Sequence, residues 1–206
     1  MTWYVARAGG TLAYLLLTCS VVVGLALSNK VQRKRWPRFA LEDVHRFLGL
    51  LTGVFIVIHG GALLVDGYLP FSLGQVLIPA TAPYRPLGAS FGVVAAELLA
   101  ALALTNRYRA SLSYRFWRRA HYLNFAVWVL ALVHGLTVGT DAFTTWDLVL
   151  YAGLAWLVLA LLFHRVTTRT ARPAEVPLKD FLRRFQLPLR AGVFDAKRPC
   201  SERRTQ

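Results

Sequence analysis

Four histidines in two apolar stretches have the type and spacing from which this chain could build chemistry. His45 and His59 lie in Leu41 to Val65, LEDVHRFLGLLTGVFIVIHGGALLV, and His121 and His134 lie in Arg115 to Thr137. The first two are 14 residues apart, about 21 Å along a helix axis, and successive steps of about 100° leave their rings within about 40° of one face. The second two are 13 residues apart, and an ideal helix would leave their rings about 140° apart. The second helix therefore needs a bend or a π-bulge, or its cofactor must sit obliquely. A lone histidine in an apolar helix is often a hydrogen-bonded packing residue. Polar groups inside a bilayer are costly, however, and function is the default reading of them.

Two neutral imidazoles from facing helices fill both axial positions of an iron porphyrin and give a low-spin centre suited to electron transfer. Zinc would take a fuller set of protein ligands, and no matching Cys, Asp or Glu accompanies the pairs. Gly49 and Gly53 follow His45 at i+4 and i+8, and Gly60, Gly61 and Gly135 adjoin the other two histidines. Small residues there admit a porphyrin close to the backbone, while GxxxG-type helix packing is the competing use of Gly49 and Gly53. Arg46, Arg118 and Arg119 either meet propionates or snorkel to headgroups.

The rest of the chain says where such helices sit. Hydrophobic residues make up 56% of the 206, charged residues 17%, and the mean hydropathy is +0.45. The apolar residues come in long blocks, which indicates a polytopic membrane protein and not a soluble domain. The net charge of +14 does not indicate a nucleic-acid partner, because the basic residues lie between and after the blocks. Cys19 sits in an apolar block and Cys200 in the polar tail, so no disulfide framework or cysteine metal site can be built.

The expected fold is an all-α integral membrane bundle of about five transmembrane helices: Thr11 to Leu27, Leu41 to Val65, Leu87 to Leu104, Arg115 to Thr137 and Asp147 to His164. The first block is not read as a signal peptide, since its charge follows it, at Lys30, Arg33, Lys34, Arg35 and Arg38. Asp66 to Tyr84 is too broken by Gly and Pro to span and reads as an interfacial loop. Five basic residues fall in each of two loops and eleven follow His164, against Arg7 and Arg85 on the other side. The positive-inside rule then puts the N-terminus outside and the C-terminus in the cytoplasm of a multi-pass cell-membrane protein. His45 and His121 fall near the cytoplasmic end, and His59 and His134 near the outer end. In the tail, Val176, Leu178, Phe181, Leu182 and Phe185 form an apolar stripe beside Lys179, Arg183 and Arg184, which suits anionic lipid first and a docked protein second. Glu97, in the middle of the third helix, reads as a carboxyl bonded inside the bundle, with a proton relay or quinone site as the alternative. Asn124, Phe125 and Trp128, between the two histidine levels, read as packing first and inter-haem coupling second. His164 reads as interfacial and not as a ligand.

The histidine spacings together with HRFLGLLTGVFIVIHGG, PATAPYRPLG, WRRAHYLNFAVWVLALVHG and Gly139 to Asp141 resemble the ferric reductase-like transmembrane domain. That superfamily takes in NADPH oxidases, ferric reductases and the bacterial MsrQ/YedZ membrane subunits. The resemblance covers roughly Gly10 to Val166. It implies two b-type haems, held by His45 with His121 inside and by His59 with His134 outside, and electron flow from the cytoplasm to an outer acceptor. The unequal spacing resembles the oxidase and ferric-reductase branch, whereas the size resembles the MsrQ/YedZ group. Residues 1–166 are then the haem-binding domain and 167–206 a basic cytoplasmic tail. The large members carry a flavin- and nicotinamide-binding domain after the last helix. This tail has no Rossmann glycine fingerprint and no room for a βαβ sheet, so the donor is a separate cytoplasmic flavoprotein reductase or a quinol.

The leading expectation is a haem-dependent transmembrane oxidoreductase with an outer acceptor. The alternatives are an MsrQ-like subunit feeding an outer methionine sulfoxide reductase, and a non-redox haem-binding or structural membrane module.

Overall fold

The computed structural model describes residues 1–28, 37–67 and 71–170, the last three by backbone only. It consists of seven α-helices: α1 (Thr2–Ser28), α2 (Arg38–Leu64), α3 (Leu73–Leu77), α4 (Pro86–Arg107), α5 (Tyr114–Tyr122), α6 (Asn124–Val138) and α7 (Thr145–Thr170). No strand occurs among the described residues. Among the described residues, five segments are long and apolar enough to cross a membrane: α1, α2, α4, α5 with α6, and α7. Their outer faces carry large apolar side chains, such as Val57 at 73% exposure, Trp156 at 71% and Phe163 at 72%. Such a belt suits hydrocarbon and would be a liability in water.

Helix α1 begins nine residues before the expected Thr11. Gly9 and Gly10, which look like a break in the sequence, continue the helix because α2 packs directly on them. A β-carbon on Gly9 would lie 3.4 Å from the His59 backbone nitrogen. The loop after α2 contains the short α3, started by a capping box in which Ser72 and Gln75 each bond the other's backbone N–H. Pro86 opens α4, and Arg85 before it takes the left-handed conformation at φ 44°. From there its Nη1 donates to the Thr137 carbonyl at 2.5 Å. Arg7 pairs with Asp141, so both basic residues on that side have partners.

Two antiparallel hairpins make up the frame. In the first, α1 and α2 run side by side with Thr2 against Asp66, Ala6 against His59 and Ser20 against His45. In the second, α4 runs beside α5 and α6 with Gly88 against His134 and Asn106 against Trp117. The core between them is built from Tyr14, Leu17, Val21 and Leu25 of α1, Ala95 and Leu102 of α4, Val127 and Trp128 of α6, and Tyr151 and Val158 of α7. Trp128 is 4% exposed; its Nε1–H donates to Thr18 Oγ1 at 3.0 Å, and Thr18 donates to the Tyr14 carbonyl at 2.9 Å. Every donor in that relay is satisfied, which matters because a buried unpaired one costs about 1–3 kcal/mol.

Two sequence readings meet a definite outcome here. Asn124 and Phe125 belong to the packing, Asn124 bonded to the His121 carbonyl and Phe125 against the core. Glu97 is exposed on α4 and makes no hydrogen bond or ion pair among the described residues, so it is not the inward-bonded carboxyl expected. His164 is exposed on α7. Lys30, Arg33, Lys34, Arg35 and the tail stripe around Phe181 lie outside the described residues.

Candidate functional site

The helices bring the four histidines together as two pairs. The rings of His45 and His121 have their centroids 6.0 Å apart at 69°. Those of His59 and His134 are 6.2 Å apart at 80°. The pairing follows the depths expected from the sequence. The problem of the 13-residue spacing is solved by a break: α5 ends at Tyr122 and α6 begins at Asn124. Leu123 N–H turns back to the Ala120 carbonyl at 2.9 Å, an i→i−3 bond that tightens the chain. Asn124 Nδ2 donates to the His121 carbonyl at 2.8 Å and closes the bend. This is the bend that lets both rings serve one side.

Three of the four rings are anchored on a backbone carbonyl, His45 having the Ser20 hydroxyl at 3.1 Å besides. His59 Nδ1–H donates to the Ala6 carbonyl at 2.6 Å, His45 Nδ1–H to the Ser20 carbonyl at 3.0 Å, and His134 Nδ1–H to the Gly88 carbonyl at 2.9 Å. A carbonyl only accepts, so Nδ1 carries the proton and Nε2 is left with a lone pair. Each acceptor carbonyl stands four residues before a glycine: Ala6 before Gly10, Ser20 before Gly24 and Gly88 before Gly92. In a helix that carbonyl already accepts the N–H of i+4. Its second lone pair is reachable only if the i+4 residue has no side chain in the way. A β-carbon would lie 3.0 Å from the His59 ring at Gly10, 3.3 Å from the His45 ring at Gly24 and 2.6 Å from the His134 ring at Gly92. A helix-interior glycine costs about 1 kcal/mol against alanine. That cost is repaid by seating an imidazole on a backbone oxygen. These notches on α1 and α4 were not anticipated from the sequence, which pointed to glycines on α2 and α6.

Those other glycines behave differently. A β-carbon on Gly49, Gly53 or Gly61 would meet no described atom within 4 Å. No described helix packs on them, so GxxxG-type contact between the described helices does not explain them. Gly135 instead makes room for the Tyr151 hydroxyl. A cavity of about 510 Å³ surrounds His59 and His134 and reaches Arg7, Tyr14, Asp141 and Tyr151. Of the arginines near His45 and His121 in sequence, Arg46 lies 3.8 Å from Asp43, and Arg118 and Arg119 are exposed.

The donor set fits an iron porphyrin. No group of three or more His, Cys, Asp or Glu able to hold a metal occurs among the described residues. Two imidazoles are all that each site offers, as suits a metal whose remaining positions belong to a macrocycle. Two nitrogens bound from opposite sides at about 2.0 Å each would place the ring centroids about 6.3 Å apart, close to both observed separations. The free Nε2 atoms and the open face of α2 agree with the same occupant.

A model of the family described as ferric reductase like transmembrane component matches residues 9–132. The match covers more than half of the chain and includes His45, His59 and His121, with His134 two residues beyond it. No curated protein and no solved structure matches the chain.

Proposed function

Because the chain belongs to the ferric reductase-like transmembrane family, with the membrane electron transfer that membership suggests, we propose that it carries electrons across the bilayer between two b-type haems. The observation that carries this reading is the pair of facing imidazole sets, at 6.0 and 6.2 Å, with Nε2 left free in the three rings tied to carbonyls. Bound haem supplies a reversible one-electron couple at each level. His45 and His121 hold the cytoplasmic site, and His59 and His134 the outer one. Ser20, Ala6 and Gly88 fix the tautomer and the ring plane through their carbonyls, and such outer partners raise the basicity of a ligating histidine. The apolar core around Trp128 keeps water from the space between the levels. The donor is a separate flavoprotein meeting the basic cytoplasmic surface, and the acceptor lies outside. Lipid-facing Glu97 supports a second donor, a quinol arriving through the membrane.

The test is a pyridine haemochrome titration of fully loaded protein with redox difference spectra. Two haems per chain are expected, and one each in the His45→Ala and His59→Ala variants. A ratio near one in the parent protein, or full low-spin spectra at both sites in either variant, overturns the ligand assignment.

A further inference from the structure

His121 is the exception among the four histidines. No backbone carbonyl receives its Nδ1 among the described residues; its hydrogen-bond partner there is the Asn124 side-chain amide at 3.4 Å. The reason lies in the register of the second hairpin. Carrying the Gly88–His134 pairing down to the level of His121 brings Ala101, and the residue four further on is Thr105. The glycine notch is missing there. Thr105 has a side chain, which bonds the Leu102 carbonyl at 2.8 Å.

In place of a carbonyl, His121 has an aromatic face. Trp117, one turn earlier on α5, stacks on it with centroids 5.3 Å apart and planes at 24°. Trp117 is itself fixed from two other elements. Its Nε1–H donates to Asn106 Oδ1 of α4 at 2.9 Å. The Arg109 guanidinium, in the 3₁₀ turn Arg109–Ser111, lies 4.1 Å from the Trp117 ring centroid. A tryptophan that merely filled space would not be tied to both the preceding helix and the intervening turn. The break at Leu123 interrupts the helix between α5 and α6, so the tie to α4 and the turn adds to the Asn124 bond in orienting α5.

We propose that Trp117 is the positioning residue of His121, held for that role by Asn106 and Arg109. Stacking replaces the carbonyl bond that orients the other three rings. The two haem sites are consequently unlike: both outer rings are locked by carbonyls, and the inner site has one ring locked and one stacked. The role toward iron rests on the two-haem reading above, but the orientation of the ring does not.

The experiment has two arms on the full-length chain. In haem-free protein, NMR of labelled histidine follows the His121 Cε1–H resonance, assigned by its loss in His121→Ala. Trp117 should shift it upfield by ring current. The shift should vanish in Trp117→Leu, persist in Trp117→Phe and diminish in Asn106→Ala. In loaded protein, EPR should show two low-spin signals. Trp117→Leu should broaden or displace one of them at least twofold in width while the other stays unchanged, and Trp117→Phe should restore it. A His121 resonance indifferent to all three substitutions overturns the proposal. Equal perturbation of both EPR signals overturns it as well, since that would mark a general loss of packing. Where Trp117→Leu does not fold, the Phe and Asn106→Ala variants decide. A wild-type chain that shows the ring-current shift yet binds no haem pair rejects the electron-transfer reading and leaves the positioning role standing.

Discussion

A β-carbon added to Gly92 would lie 2.6 Å from Nδ1 and Cε1 of the His134 ring. Neither atom can yield without breaking the bond from that ring to the Gly88 carbonyl. Gly92→Ala should therefore reduce haem affinity at the outer site by about 10–100-fold, the usual effect of losing the group that orients a metal-binding histidine. Gly10→Ala and Gly24→Ala, with clearances of 3.0 and 3.3 Å, should follow in that order of severity, Gly24→Ala acting on the inner site. Haem titration of the three variants checks the ranking, and a ranking that ignored clearance would sink the notch explanation.

Trp128 serves packing and a hydrogen bond together, and the two can be separated. Trp128→Phe loses the donor to Thr18 and should cost about 1 kcal/mol. Trp128→Ala opens a cavity in the core and should cost about 3–5 kcal/mol. Unfolding midpoints in detergent would compare them. Equal losses would mean that the hydrogen bond, and not the ring volume, holds that part of the core.

The direction of the chain in the membrane is open to a direct probe. On a background with Cys19→Ser and Cys200→Ser, Thr140→Cys should react with a membrane-impermeant maleimide on intact cells. Ser111→Cys should react only after permeabilisation. The basic residues Arg107, Arg109, Arg115, Arg118 and Arg119 flank Ser111 and place it inside by the positive-inside rule. The reverse labelling pattern would invert the proposed donor and acceptor sides.

Donor docking on a basic surface should depend on salt. The Debye length falls from about 10 Å at 0.1 M to about 3 Å at 1 M, so reduction by a flavoprotein plus NADH in proteoliposomes should slow steeply over that range. Reduction by a quinol entering through lipid should not. Fast, salt-insensitive reduction by quinol, with none by flavoprotein, would replace the docking model and make Glu97 the leading donor-site residue.

Much of this was legible in the sequence because it depends on periodicity. Spans follow from blocks of hydropathy, and the histidine levels follow from a rise per residue. The 13-residue spacing even required a distortion, and the chain supplies it at Leu123. The notches at Gly10, Gly24 and Gly92 were hidden for a different reason. Each is defined by the residue that faces it across a hairpin, and one sequence does not state the register between helices. Trp117 was hidden likewise: its neighbours Asn106 and Arg109 reach it from another helix and a turn. The short α3 had a readable signal in Ser72 and Gln75, masked by the Gly and Pro around it.

The antiparallel register of the two hairpins also bears on how the molecule is put together in the cell. His45 and His59 take their anchors from α1 alone, while His134 and His121 take theirs from α4, from Trp117 and from Asn124. Each hairpin thus finishes its half of the ligand set before it meets the other, and the described residues between α2 and α4 supply none of these anchors. Biogenesis can proceed by inserting one helical hairpin and then the next, with packing of Tyr14 and Thr18 against Trp128 as the event that joins them. A gene divided between those hairpins would yield two fragments that complement each other in the membrane.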